Sequence, residues 1–114
     1  MKPEQELLTR TYAAFNNRDI DSVLAVMHEE VDWPNGMEGG RVHGRDGVRD
    51  YWTRQWSTID PRVDPVRFEH IEQGRSIVHV HQVVRNLAGE ILVDQMVRHE
   101  YLLRDGLIAR MDIL

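Results

Sequence analysis

The strongest constraint on the fold is a change of hydrophobic period midway along the chain. From Val66 onward the residues alternate, in VRFEHIEQ, RSIVHVHQVVRNL, EILVDQMVRHEYLL and LIARMDIL. Alternation of period two is the pattern of a strand with one face buried. Gly74, Ala88-Gly89 and Asp105-Gly106 separate the four segments. Turns that short join only antiparallel neighbours. Residues 62–114 are therefore expected to form an antiparallel sheet.

The first half has helical spacing instead. Leu7, Leu8, Thr11, Tyr12 and Phe15 recur at three- and four-residue intervals, which predicts a helix over 4–17 ended by Asn16-Asn17. Asp19 can cap a second helix that buries Ile20, Val23, Leu24 and Met27 and closes at His28-Glu29-Glu30. Val31-Asp32-Trp33 is a short strand. Pro34, Gly36, Gly39 and Gly40 make an irregular crossing. A third helix is expected from about Arg45, burying Val48, Tyr51, Trp52 and Trp56. Helices grouped before a meander must cover one face of it, so the class is α+β.

Composition narrows the function. At 114 residues the chain has room for one hydrophobic core, and a single domain over 1–114 is expected. A net charge of -5 offers no basic surface for phosphates, so no nucleic-acid partner is expected. No apolar run approaches the roughly 20 residues that span a bilayer, and MKPEQELL lacks a signal-peptide core. The chain reads as cytoplasmic, with no membrane partner. The absence of cysteine removes thiolate chemistry and disulfides, which leaves His, carboxylates, hydroxyls and amides.

The order of elements resembles the nuclear transport factor 2-like superfamily across the whole chain. YAAFNNRDIDSVLAVM is similar to the helical hairpin of its SnoaL-like and ketosteroid-isomerase-like members, VHGRDGVRDYW to their third helix, and LLRDGLIARMDIL to their closing strands. The resemblance implies a cone-shaped domain, three N-terminal helices packed on a curved antiparallel sheet that encloses a pocket. It also implies pairing as a homodimer through the outer sheet face. It does not fix an activity, because one fold supports many.

Carried over residue by residue, the isomerase pattern places its general-base aspartate at Asn35, which cannot accept a proton from carbon at a useful rate. Its oxyanion-hole tyrosine falls near Thr11, with Tyr12 one position on, and the partner acid falls on His99. Trp52 takes an aromatic position of the same pocket. Steroid isomerisation is thus not expected, although the pocket is. The resemblance also makes the irregular stretch after Trp33 the rim, with Trp33 and Asn35 facing inward. The alternatives are a core tryptophan and an Asx turn at Asn35-Gly36.

Alternation then assigns the walls. Gln95, Val97, His99 and Tyr101 share one strand face, and Val78, Val80 and Gln82 share the facing positions on the neighbouring strand. With Thr11, Tyr12, Phe15, Trp33, Trp52 and Met111 they make the expected pocket, suited to a small hydrophobic molecule with a carbonyl or hydroxyl. His99 is the candidate acid-base group, since imidazole exchanges a proton near neutrality; a structural histidine bonded to Asn35, Gln82 or Gln95 is the alternative. SnoaL-like cyclases carry an essential carboxylate late in the final strand region, which points to Asp112. Period two turns Asp112 outward, whereas a bulge would turn it in toward His99.

His79 and His81 have the spacing of zinc ligands on a strand, yet no third ligand is evident. No metal and no cofactor are expected. Both histidines belong on the outer face with Ile77, Val83, Met96, Arg98 and Glu100, where apolar residues among charges suggest the homodimer contact. Two functions remain open: an enzyme of isomerase, cyclase or dehydratase type, and a ligand-binding or accessory domain without chemistry.

Overall fold

A computed structural model describes residues 3–114. The elements run α1 (Pro3–Asn16), α2 (Ile20–Leu24), β1 (Met27–Pro34), β2 (Arg41–His43), α3 (Gly44–Thr58), β3 (Ile59–Glu72), β4 (Arg75–Asn86), β5 (Ile91–Arg104) and β6 (Leu107–Ile113). The strands form one six-stranded sheet in the order β2-β1-β6-β5-β4-β3. The α+β architecture and the antiparallel pairing of β3 through β6 are as the sequence predicts. Pairing of β1 with β6 is parallel, so the sheet is mixed.

Helix α1 carries Glu4 and Glu6 in its first turn, where carboxylates suit the positive end of the helix dipole, and buries Leu8, Thr11 and Tyr12. It lies against β3. The turn after α1 places Arg18 at a φ of 60°. That conformation is unfavourable for a non-glycine residue, but the Arg18 guanidinium lies over the Phe15 and Trp56 rings at 5.6 and 5.1 Å and donates to the Pro61 carbonyl at 2.8 Å. Asp19 caps α2 as expected, accepting from the Ser22 amide at 3.3 Å.

Three boundaries differ from expectation. Helix α2 stops at Leu24, and Met27, His28, Glu29 and Glu30 belong to β1. The Ile108 amide donates to the Val26 carbonyl at 2.9 Å, so hydrogen bonding from β6 draws this segment into the sheet. The glycine-rich crossing contains β2, which pairs with β1 through Asp32, Trp33 and Pro34. Strand β3 begins at Ile59 and runs through Pro61 and Pro65. It is an edge strand, where a missing N–H is tolerated.

Helix α3 buries Val48, Tyr51 and Trp52, as its spacing predicts. With Leu8, Tyr12, Val23, Leu24, Met27, Val31 and the inner residues of β4 to β6, they form a continuous core. The outer sheet face carries polar pairs, among them the Arg75–Glu100 ion pair at 2.6 Å and a hydrogen bond between His81 and Asp94 at 2.6 Å. Of the apolar residues expected there, Met96 is 57% exposed but Val83 only 9%.

Candidate functional site

Between α1, α3 and the inner face of the sheet lies a cavity of about 400 Å³. Its walls are mostly aromatic and aliphatic. Trp33 of β1 and Trp52 of α3 meet edge to face at 5.5 Å, and Phe15 of α1 meets Trp52 in the same way at 5.0 Å. Such contacts fix the rings and give the cavity a shape of its own.

The polar centre of the wall is a chain of three side chains. The Tyr101 hydroxyl donates to the Tyr12 hydroxyl at 2.8 Å, and the Tyr12 hydroxyl lies 2.7 Å from His99 Nδ1. Tyr101, Tyr12 and His99 are 1%, 3% and 6% exposed. Burial carries a direction with it, because the Tyr12 oxygen already accepts from Tyr101 and, among the described residues, its own hydrogen finds an acceptor only at His99 Nδ1. His99 then carries its proton on Nε2, for which no described residue is a partner. Burial also pushes the His99 pKa down to about 4 and both tyrosine pKa values up. Near neutral pH the arrangement is a neutral imidazole held by two un-ionised phenols.

Of the residues nominated from the sequence, Thr11, Tyr12, Phe15, Trp33, Trp52, Gln82, Gln95, His99, Tyr101 and Met111 line the cavity. Gln95 donates to Gln82 at 3.0 Å, and the two are directly opposed across β4 and β5. Thr11 donates to the Leu7 carbonyl at 2.8 Å, so its hydroxyl hydrogen serves the helix.

Five expected residues lie elsewhere. Val78 and Val80 are on the inner face but fully buried, and half-buried Val97 packs on the same core; these short side chains are closed over and do not reach the cavity wall. Asn35 is buried but does not line the cavity. Its Nδ2 donates to Glu38 Oε1 at 2.9 Å and its Oδ1 accepts from the Glu38 amide at 2.8 Å. The local-turn alternative for Asn35 is therefore the one observed. Arg54 and then Asn35 hold the Glu38 carboxyl down at about 2.

Asp112 lies on the outer face. It is paired with Glu100 in the sheet, while its neighbours Met111 and Ile113 pair with Tyr101 and His99 and line the cavity. The bulge in this strand pair falls between Leu102 and Leu103, too early to reverse Asp112. Arg110 Nε donates to its carboxylate at 2.8 Å and Arg41 at 3.0 Å, which lowers its pKa. It does not meet His99. His79 and His81 also point outward, next to Glu69 at 3.3 Å and Asp94 at 2.6 Å. Among the described residues no three potential ligands cluster as a metal site.

Residues 8–111 match the SnoaL-like domain family. The chain belongs to the SnoaL-like family. No curated protein resembles it closely enough to count as a relative. Among solved structures it is similar to TerC co-crystallised with polyporic acid, at 28% identity over 99% of this chain and 91% of that one, with a TM-score of 0.87. It is also similar to a nuclear transport factor 2-like protein of unknown function from Burkholderia pseudomallei, at 25% identity over 100% of this chain and 91% of that one, TM-score 0.87. A third is a candidate polyketide cyclase of Pseudomonas putida, at 20% identity over 100% and 91% of the two chains, TM-score 0.84. This last likeness carries the fold alone.

Within the SnoaL-like fold the sequence reading missed several wall residues. Val84 and Val93 continue the alternation of Gln82 and Gln95, and Ile113 that of Met111, so the same period could have found them. Tyr51 and Gln55 were within reach of helical spacing, at one position before and three after Trp52. Ile59, Pro61 and Val63 were hidden because the prolines read as breakers. Gly36 and Met37 belong to the loop between β1 and β2, which has no period to read.

Proposed function

We propose that this SnoaL-like protein binds a small, mainly apolar carbonyl compound and acts on it as an isomerase, cyclase or lyase. The observation that supports this is the Tyr101–Tyr12–His99 chain in the cavity wall. It presents the Nε2 hydrogen of a neutral imidazole to the ligand. A carbonyl oxygen that gains charge during reaction is stabilised by such a preset donor. Nδ1 is occupied by Tyr12, and the buried phenols resist ionisation, so His99 polarises the carbonyl and keeps its proton. Among the described residues no Asp or Glu lines the cavity. Reactions that need only an activated carbonyl fit this site better than proton abstraction by a carboxylate; an example is ring closure by the carbon of an enol in the same molecule, whose enol proton ends on the new hydroxyl oxygen so that no protein base is required. The polyporic acid bound by TerC supports a ligand of this size and character.

The lack of a carboxylate equally supports a second reading, binding without chemistry. His99→Gln separates the two, assayed against a panel of ketones and quinones that includes polyporic acid. Catalysis predicts affinity within a few-fold of wild type and turnover lower by about 10². A variant that binds weakly, with no panel member turned over by either protein, leaves the binding role.

A homodimer through the outer sheet face belongs to the same proposal. Met96 and Leu102, 57% and 37% exposed, lie there among ion pairs. Sedimentation at micromolar concentration tests it, and a monomer contradicts it.

A further inference from the structure

We propose that Gln82 and Gln95 form a second polar subsite in the cavity, one that takes a hydroxyl group of the ligand. The inference rests on the cavity being a ligand site and deepens that reading by naming what binds between His99 and the mouth.

The inner face of β4 and β5 is built in rungs. Val84 opposes Val93, Gln82 opposes Gln95, Val80 opposes Val97 and Val78 opposes His99. The glutamines are thus a lone polar rung between two valine rungs, and both line the cavity. Exposure rises along β5 from Tyr101 at 1% through His99 at 6% to Val93 at 36%, so the pair stands between the buried histidine and the mouth. Contact with solvent does not by itself call for polar residues there, since the rung nearer the mouth is valine. Glutamine in place of a β-branched residue on a sheet face forgoes apolar packing with its neighbours.

Gln95 Nε2 donates to Gln82 Oε1 at 3.0 Å, and neither side chain has another partner among the described residues. That single bond leaves the Gln82 NH2 group and the Gln95 oxygen free. Exchanging oxygen and nitrogen in both amides only reverses the bond, and again one oxygen and one NH2 group are free. The rung therefore offers a donor and an acceptor whichever way the amides are turned. Gln82 is half-buried and Gln95 exposed, so neither is closed off from the cavity they line.

A ligand carbonyl or ether can use only the donor, and a carboxylate meets the free oxygen unfavourably. A hydroxyl uses both, accepting from one amide and donating to the other. Gln95 lies four residues from His99 on β5, roughly 13 Å at the rise of a strand. Together the two positions select a ligand with a carbonyl at His99, a hydroxyl two ring lengths away toward the mouth, and an apolar body between them.

The test uses 4-acetyl-4′-hydroxybiphenyl, its methyl ether and 4-acetylbiphenyl, titrated into wild type and the double variant Gln82→Met with Gln95→Met, with near-ultraviolet circular dichroism confirming each fold. The readout is the ratio of affinities for the hydroxyl and methoxy probes, in which any general change to the cavity cancels. Wild type should prefer the hydroxyl probe about fivefold, the scale of one hydrogen bond. The double variant should lose that preference or reverse it, because an apolar wall favours the ether. In wild type, nuclear Overhauser contacts should link the hydroxyl-bearing ring to the side-chain amide hydrogens of Gln82 and Gln95. No preference in wild type, or an equal one in the double variant, overturns the subsite and leaves the cavity reading standing where 4-acetylbiphenyl is bound. If none of the three probes binds wild type, the cavity reading falls and the subsite with it.

Discussion

Tyr12 and His99 stand 87 positions apart in sequence and 2.7 Å apart across the cavity wall, one on the first helix and the other on the fifth strand. Their rings are nearly coplanar in tilt, 13° from parallel, with centroids 5.9 Å apart. The contact sets the direction of the imidazole and ties α1 to the sheet at the point where the ligand is expected.

Removing that contact should be costly. Tyr12→Phe leaves His99 Nδ1 and the Tyr101 hydroxyl both buried and without their partner. Urea unfolding should show a loss of about 3 kcal/mol, the scale of two stranded polar groups. Nitrogen chemical shifts of His99 should change from a single Nε2–H tautomer to a mixture. A variant as stable as wild type would show that the chain is not a bonded unit.

Stability should also fall with acidity in a defined window. His99 has its pKa lowered from 6.5 to about 4 by burial. A base with a depressed native pKa binds more protons unfolded than folded, so its contribution is complete above pH 6.5 and is lost as pH falls toward 4. Wild type should lose up to about 3 kcal/mol between neutral pH and pH 4, and His99→Gln should show a shallower slope. Equal slopes in the two proteins would mean that His99 is solvated.

Asp112→Asn should leave the affinity for benzophenone unchanged. The carboxylate is 28% exposed and bonded to Arg110 and Arg41 on the far side of the sheet, and a half-exposed pair of this kind contributes no more than about 1 kcal/mol to stability. A fall in ligand affinity or turnover of more than tenfold would place Asp112 in the site after all.

Gly74 turns β3 into β4 at a φ of 80°, and a Cβ there would lie 3.0 Å from the Leu103 carbonyl oxygen. The same carbonyl-bearing residue donates its amide to Gly74 at 2.7 Å, so neither backbone can retreat. Gly74→Ala should lower stability by about 2 kcal/mol in thermal or urea unfolding. A neutral substitution would show that the turn relaxes.

How much of this was legible in the sequence depends on how local the cause was. The facing stretches Ser76–Gln82 and Gln95–Tyr101 keep a period of two, so Gln82, Gln95, His99 and Tyr101 could be assigned to one sheet face. The same rule named Val78, Val80 and Val97 as pocket walls, because it reports the face of a sheet and not whether a short side chain on that face is covered. Met27 to Glu30 read as a helix end because their strand is made by β6, some 80 residues away. Asn35 obeyed its local turn chemistry rather than the position suggested by the resemblance. The Tyr12 bond to His99 could not be read at all, since no spacing rule links a helix to a strand so distant.

The position of β6 has a consequence for how the protein is made. It is the inner neighbour of both β1 and β5, so until residues 107–113 emerge from the ribosome those two strands present open edges on either side of a gap. A nascent or truncated chain ending before Leu107 would expose unpaired backbone on two long strands, together with the aromatic residues meant for the cavity. Such intermediates are prone to pair with other chains. Synthesis of this last strand is therefore the step at which the polypeptide passes from an adhesive species to a self-contained one, and stop codons or proteolysis just upstream of it should yield aggregates rather than a smaller soluble protein.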